Sequence, residues 1–331
     1  MPMSFCHYYD FEIETIVKFI REIKAKKILL QLPEGLQICA SEIIQLLRNT
    51  FGDLEVILSQ NPSFGSCLVD EYGAIESGAD AIIHIGHIEY KYYKPKMPTL
   101  FIRGAYRGID KDKITMLLSQ VCKEQQNKVT ICIGTTAQHM VEIDSFVKEL
   151  RNCRIVYKGI ILGCMPINPS NCDNTIIIAG GKFHCVTQAL YNLSLGKHIS
   201  TLCIDPYTND LWNPEKDAEK ILHVRLWKVR EAFEARKWLI INGFYGQHRP
   251  YLINALIERL RSLGKEYVVT KALRITRDLL DNIGAESFDV IVITACPHVA
   301  FELDDYIKPV ITAGEAMMAL RRDLSRYIYP W

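Results

Sequence analysis

Cysteine is the residue type in this sequence with the most chemistry to offer: there are eleven among 331 residues. An odd number, a long chain and no secretion signal make a disulfide framework unexpected. No C-x-x-C occurs, so the local spacings of zinc ribbons and ferredoxins are missing. A metal site would have to be assembled from distant segments, and three cysteines suit that task. Cys67 lies in NPSFGSCL, a turn rich in Gly and Ser, Cys164 in GCMP and Cys296 in TACP. Each comes just beyond an apolar run that reads as a strand. A lone cysteine there is often only a small buried hydrophobe. Three thiolates brought together, in contrast, would make a metal site. Cys39, Cys122, Cys132 and Cys203 fall inside predicted helices or strands and read as packing. Cys172 and Cys185, near loops, are further reactive-thiol candidates, and Cys6 and Cys153 carry no assigned role.

The strands that would position these thiols recur in threes. KILLQLPEGL from Lys27, KVTICIGTTAQHM from Lys128 and KWLIINGFYGQHR from Lys237 each give a lysine, a short apolar strand and a Gly-containing turn. A helical period follows in the first (Ile43, Ile44, Leu47) and in the third (Leu252, Leu256, Leu260, Leu263). The interval is about a hundred residues, the size of a domain. Second strands are expected from Glu55, Arg154 and Tyr267, third strands from Ala81, Thr175 and Asp289, and fourth strands from Thr99, Thr201 and Pro309. Continuous apolar strands alternating with amphipathic helices mean parallel sheets covered by helices. The expected fold is therefore α/β, with three similar domains (residues 1–110, 111–218 and 219–331), each a short parallel sheet flanked by helices. Ligands bind beyond the carboxyl ends of such strands. Three domains around a common axis would bring Cys67, Cys164 and Cys296 together at a central site.

Charge excludes more than it selects. Lys plus Arg is 39 against Asp plus Glu at 38, so no net field argues for nucleic acid or an anionic membrane. No apolar run approaches the roughly 18 residues of a membrane helix, and the first residues carry no signal peptide. A cytoplasmic location is the expectation.

The segments QLPEGL (31–36), FGSCLVDEYGA (64–74), HIGH (84–87), GTTAQH (134–139), LGC (162–164), GGKFH (180–184), GQ (246–247) and TACP (294–297) together resemble the archaeal diphthamide-synthesis enzymes, in order and over nearly the whole chain. That family transfers the 3-amino-3-carboxypropyl group of S-adenosylmethionine to C2 of a histidine of translation elongation factor 2. The resemblance implies that Cys67, Cys164 and Cys296 ligate a 4Fe-4S cluster, leaving one iron open to S-adenosylmethionine. Reductive cleavage would then release an aminocarboxypropyl radical. It also implies a homodimer, an external electron donor and elongation factor 2 as the protein substrate, with no direct binding to nucleic acid or membrane. Two other readings are a quinolinate-synthase-like enzyme, also three α/β domains around a 4Fe-4S cluster, and a cluster-bearing partner subunit without catalysis. The chain departs from the family at His298, where an arginine typically follows TACP, and in the later position of the acidic pair Asp304 and Asp305.

Around the cysteines, Gly134, Thr135, Gly180, Gly181 and Gln247 are the expected S-adenosylmethionine contacts, glycine turns letting backbone amides approach an anion. The same glycines could serve only tight turns. His84 reads as structural, and His87 is balanced between structure and ligand. His139 and His184 end corresponding loops near the site. Asp70 and Glu71 are expected to cap a helix, residues 89–97 to form a solvated loop, and residues 216–236 to form a connecting helix.

Overall fold

The computed structural model describes residues 5–124, 129–150, 154–196 and 199–330; Lys128 and Cys153 lie outside the described residues. Thirteen strands build three sheets. The first contains β1 (Lys27–Gln31), β2 (Glu55–Leu58), β3 (Ala81–Ile85) and β4 (Thr99–Ile102) in the order β2-β1-β3-β4, all parallel. The second contains β5 (Thr130–Thr135), β6 (Arg154–Ile160), β7 (Asn174–Ile178), β8 (Ser200–Asp205) and β9 (Asp210–Trp212) in the order β9-β8-β7-β5-β6; only β9 is antiparallel. The third contains β10 (Lys237–Asn242), β11 (Glu266–Lys271), β12 (Val290–Ile293) and β13 (Val310–Thr312) in the order β11-β10-β12-β13, again parallel. Every strand expected from the sequence is present, and the second, first, third and fourth of each series lie side by side. Two features were not foreseen: β9, and a two-residue antiparallel ladder between Tyr9–Asp10 and Ala105–Tyr106.

The repetition extends to chemistry. Before the third strand of each sheet stands an aspartate whose carboxylate accepts from amides opening the first strand. Asp80 accepts from Lys26 and Lys27, Asp173 from Thr130, and Asp289 from Arg236 and Lys237. These amide bonds are the main reason all three carboxyls are held below their usual range.

The chain divides into two compact units, Met1–Asp112 with Thr136–Glu149, and Lys113–Thr135 with Leu150–Trp331. In the first, Ile28, Leu30, Ile83 and Ile85 of the sheet pack with Ile16, Ile20, Ile43 and Leu47 of the helices Ile13–Ile23 and Ala40–Thr50. In the second, Trp238, Ile240, Val290 and Val292 pack with Leu256 and Leu260 of the helix Pro250–Ser262. Central strands carry apolar side chains on both faces because helices cover both, which is why they read as unbroken runs.

The helix Glu215–Glu231 is more than a connector. Its Arg225, fully buried, donates to both carboxylate oxygens of Glu315 and to the carbonyls of Ala300 and Val310. Glu315 also closes a capping box with Thr312 and accepts from the Tyr327 hydroxyl.

The expectation of no disulfide framework is corrected. Among the described residues Cys6–Cys39, Cys132–Cys172 and Cys185–Cys203 are paired, with Cα atoms 5.6, 5.8 and 5.9 Å apart, within the reach of a bridge. Parity and compartment could not reveal these pairs, because each is made by tertiary packing. Cys203, for example, lies on β8 beneath the helix Phe183–Ser194 that carries Cys185. Cys172 and Cys185 are therefore not the reactive thiols expected.

Candidate metal centre

Cys67, Cys164 and Cys296 remain thiols, each half-buried. All three stand at carboxyl ends of strands. Cys67 and its turn follow β2, Cys164 follows β6, and Cys296 follows β12. At the last of these, the strand ends at Ile293 and Cys296 is the extended residue just before the helix Pro297–Glu302. Pro297 occupies the first helical turn, where its missing N–H is no loss and its fixed φ starts the helix. The cysteine is thus held at a sharp strand-to-helix junction.

Cys67 belongs to the first unit, in the turn spanning residues 61–70. Asp70 closes the turn at its base, accepting from Ser59 Oγ, Asn61 Nδ2 and Gly73 N, and so caps the following helix as expected. Glu71 does not cap. Its buried carboxylate accepts from the Tyr93 hydroxyl and from the amides of Lys96 and Met97, so residues 93–97 are pinned to the protein rather than loose in solvent. Ser63 and Ser66, on the same side of the sequence as Cys67, have buried hydroxyls with no hydrogen-bond partner. Native proteins rarely leave such groups unsatisfied.

Cys164 and Cys296 belong to the second unit, as does Tyr329. Tyr329, buried, donates to the carbonyl of Gly163 at 2.8 Å. Burial and then the nearby Cys164 and Cys296 thiols push its hydroxyl well above the usual range. His298 approaches the same phenol at 3.4 Å and lies under the Phe183 ring, 4.1 Å between centroids. Burial lowers His298 to about 3, so it is neutral. A Cβ at Gly163 would meet His298 Nε2 at 2.5 Å and Phe183 Cε1 at 2.6 Å; glycine is required there by close approach. His184, beside Phe183, is also kept neutral, lowered to about 4 by desolvation.

The remaining sites differ in their surroundings. Gly134 lies within β5, where a Cβ would meet Ile167, Ile161 and Ile177 within 3 Å, and the buried Thr135 hydroxyl donates to the Ile178 carbonyl. Gly180 abuts the Tyr207 ring, and Gly181 has φ +67° with its amide bonded to Asp205. Gln247, buried, and Ala295, next to Cys296, both lie close against Gly243. His139 is buried in the first unit edge-on to Tyr106. His84 is fully buried, with both ring nitrogens bonded, as a structural residue would be. Tyr329 and Arg225 were missed by the sequence reading; a tyrosine and an arginine far from any motif give no periodic or spacing signal.

The family model for diphthamide synthesis proteins matches residues 32–330. The chain belongs to the diphthamide synthesis family. Among its relatives, 2-(3-amino-3-carboxypropyl)histidine synthase subunit 1 of Homo sapiens is 27% identical over 333 residues, covering 97% of this chain and 74% of the human protein. The synthase of Pyrococcus horikoshii is 27% identical over 322 residues, covering 92% and 89%. The crystal structure of Dph2 from Pyrococcus horikoshii with a 4Fe-4S cluster superposes with a TM-score of 0.81 at 25% identity, covering 96% of this chain and 93% of that one. Family membership sets the diphthamide reading ahead of the quinolinate-synthase-like one. No helix among the described residues is long and apolar enough to cross a membrane. Nor do three His, Cys, Asp or Glu side chains form a metal-sized group among them.

The donor set fits a 4Fe-4S cluster in kind. Three half-buried thiols lie at strand ends, and the turn that carries Cys67 also holds two buried, unsatisfied hydroxyls, those of Ser63 and Ser66. Hydrogen bonds to sulfur and partial burial are the means by which a protein sets a cluster's potential.

Proposed function

We propose that this protein transfers the 3-amino-3-carboxypropyl group of S-adenosylmethionine to C2 of the target histidine of translation elongation factor 2, the first step of diphthamide formation. The observation that carries the reading is that the three cysteines which remain thiols, Cys67, Cys164 and Cys296, all follow strand ends in a chain of the diphthamide synthesis family. Cys67, Cys164 and Cys296 would hold the 4Fe-4S cluster, one thiol from each of the domains 1–110, 111–218 and 219–331. When bound, the cluster supplies the electron for reductive cleavage of the sulfonium and an open iron for S-adenosylmethionine.

The chain's own residues do the rest. Pro297 and the Tyr329 bond to Gly163 fix the backbone beside two ligands. Neutral His298 and His184 keep positive charge away from the thiolates. Gly134, Thr135, Gly180, Gly181 and Gln247 are the S-adenosylmethionine contacts in this reading. The protein works in the cytoplasm as a homodimer, with elongation factor 2 as substrate and an external electron donor.

The test is anaerobic purification, iron and sulfide analysis, and reduction with dithionite in the presence of S-adenosylmethionine, with and without elongation factor 2. Methylthioadenosine and a modified histidine are the expected products. Cys67→Ala, Cys164→Ala and Cys296→Ala should each lose iron and transfer. Equal iron and activity in all three would sink the assignment, and a cluster without cleavage would make the protein a supporting subunit.

A further inference from the structure

The first unit contains a buried hydrogen-bond chain that leads to the Cys67 turn. Gln31, the last residue of β1, is fully buried, and its carboxamide has every bond it can make. Nε2 donates to the carbonyls of Leu68 at 2.9 Å and Pro62 at 3.3 Å. Oε1 accepts from the Asp70 amide at 3.1 Å and lies 2.9 Å from His84 Nδ1. Two donors and two acceptors exhaust a carboxamide. Carbonyls only accept and an amide N–H only donates, so the Gln31 group cannot be flipped. The bonds fix its orientation.

That orientation dictates the protons further along. Oε1 is an acceptor, so His84 Nδ1 must carry hydrogen. Desolvation, and then the neighbouring His87, hold His84 neutral, well below its ordinary range. Its Nε2 is therefore the bare nitrogen, and His87 Nδ1, 3.0 Å away, must be the donor to it. The chain runs one way, from His87 through His84 to Gln31 and on to the turn. Its last links land on the carbonyls of Pro62 and Leu68, which bracket Cys67, and Asp70, which closes the turn, donates its amide back to Gln31.

We propose that Gln31, oriented by His84 in the Nδ1–H form, is a positioning residue for Cys67: it clamps the turn from inside and sets where the thiol is presented. Strand β1 is the rigid support and the turn is the part held. The clamp's relevance to the reaction rests on Cys67 being a cluster ligand, as proposed above. Its existence does not, and the experiment separates the two.

In metal-free, reduced protein, the alkylation rate of Cys67 is followed by peptide mass spectrometry, with Cys164 and Cys296 as internal references. Gln31→Glu keeps the shape but turns acceptor oxygens toward the carbonyls of Leu68 and Pro62. Gln31→Met keeps the length and removes every bond. Both should change the Cys67 rate about tenfold or more relative to the references, a local loss of one clamp's hydrogen bonds. In iron-loaded protein they should shift the electron paramagnetic resonance signal of the reduced cluster. An unchanged Cys67 rate, or equal changes at all three cysteines, overturns the proposal. Should either variant fail to fold, the wild-type protein still decides. Two-bond proton–nitrogen spectra of histidine-labelled protein must show His84 neutral with hydrogen on Nδ1, and hydrogen on Nε2 alone overturns the clamp. A selective Cys67 response in a protein that never binds iron would uphold the clamp and sink the cluster reading.

Discussion

At the scale of single residues, the site depends on side chains with no room to change. Gly163 precedes a proposed ligand and lies against His298 and Phe183 closer than any Cβ allows. Gly163→Ala must push one ring aside, which costs about 1–3 kcal/mol in a packed interior. The expected result is a lower urea midpoint together with weaker iron retention in the anaerobic protein. His84 gives a second prediction, in pH. Its folded pKa is depressed by burial, while the unfolded chain binds a proton below about 6.5. Below that value the unfolded state holds a proton that the folded state refuses, so stability falls as pH falls. The slope reaches about 1.4 kcal/mol per pH unit for one such group, until the folded His84 itself titrates. Urea unfolding between neutral pH and mild acid should show this slope on top of those of the likewise depressed His184 and His298, and His84→Gln should reduce the total by one proton. An identical slope in both proteins would mean that His84 is not the group responsible.

Elements are joined to the site by buried polar groups more than by the strands themselves. Arg225 reaches from the helix Glu215–Glu231 to Glu315 at the start of the helix Ala313–Arg321, and to the Ala300 carbonyl in the helix that begins after Cys296. The guanidinium also lies over the Phe301 ring at 5.1 Å. One residue therefore connects three helices behind a proposed ligand. Removing one partner of such a pair leaves the other charge buried and uncompensated, at about 3–5 kcal/mol. Arg225→Met should cost an amount of that order in chemical unfolding. The double variant Arg225→Met with Glu315→Gln should cost less than the single one, because the stranded carboxylate is gone. If the two losses simply add, the pair is not the source of the stabilisation.

For the whole molecule, the sheets were legible because the strands are short apolar runs, the first of each series set by the same lysine-to-glycine pattern, and a parallel strand covered on both faces leaves that mark. The cysteines at the strand ends were legible for the same reason, once strand ends had been located. Tyr329, Arg225 and the Gln31 chain were not, since their partners are distant in sequence and a hydrogen bond leaves no periodicity. The disulfides were hidden likewise: Cys132, Cys172, Cys185 and Cys203 share one apolar cluster assembled by the second sheet. Bridges are unusual in a chain expected in the reducing cytoplasm, but burial supplies a reason for persistence, because exchange requires a thiolate to reach the sulfur. Cys39, Cys185 and Cys203 are fully buried, whereas Cys67, Cys164 and Cys296 are half-buried. The molecule thus sorts its sulfur by access, with shielded pairs that brace the domains and reachable thiols kept for the site. Alkylation of native, metal-free protein before any reduction should mark Cys67, Cys164 and Cys296. Cys6, Cys39, Cys132, Cys172, Cys185 and Cys203 should react only after denaturation with reductant. Opening those bridges should lower the melting temperature, each bridge contributing about 2–4 kcal/mol. Labelling of the buried six in denatured, unreduced protein would show that the pairs are packed thiols and that the braces do not exist.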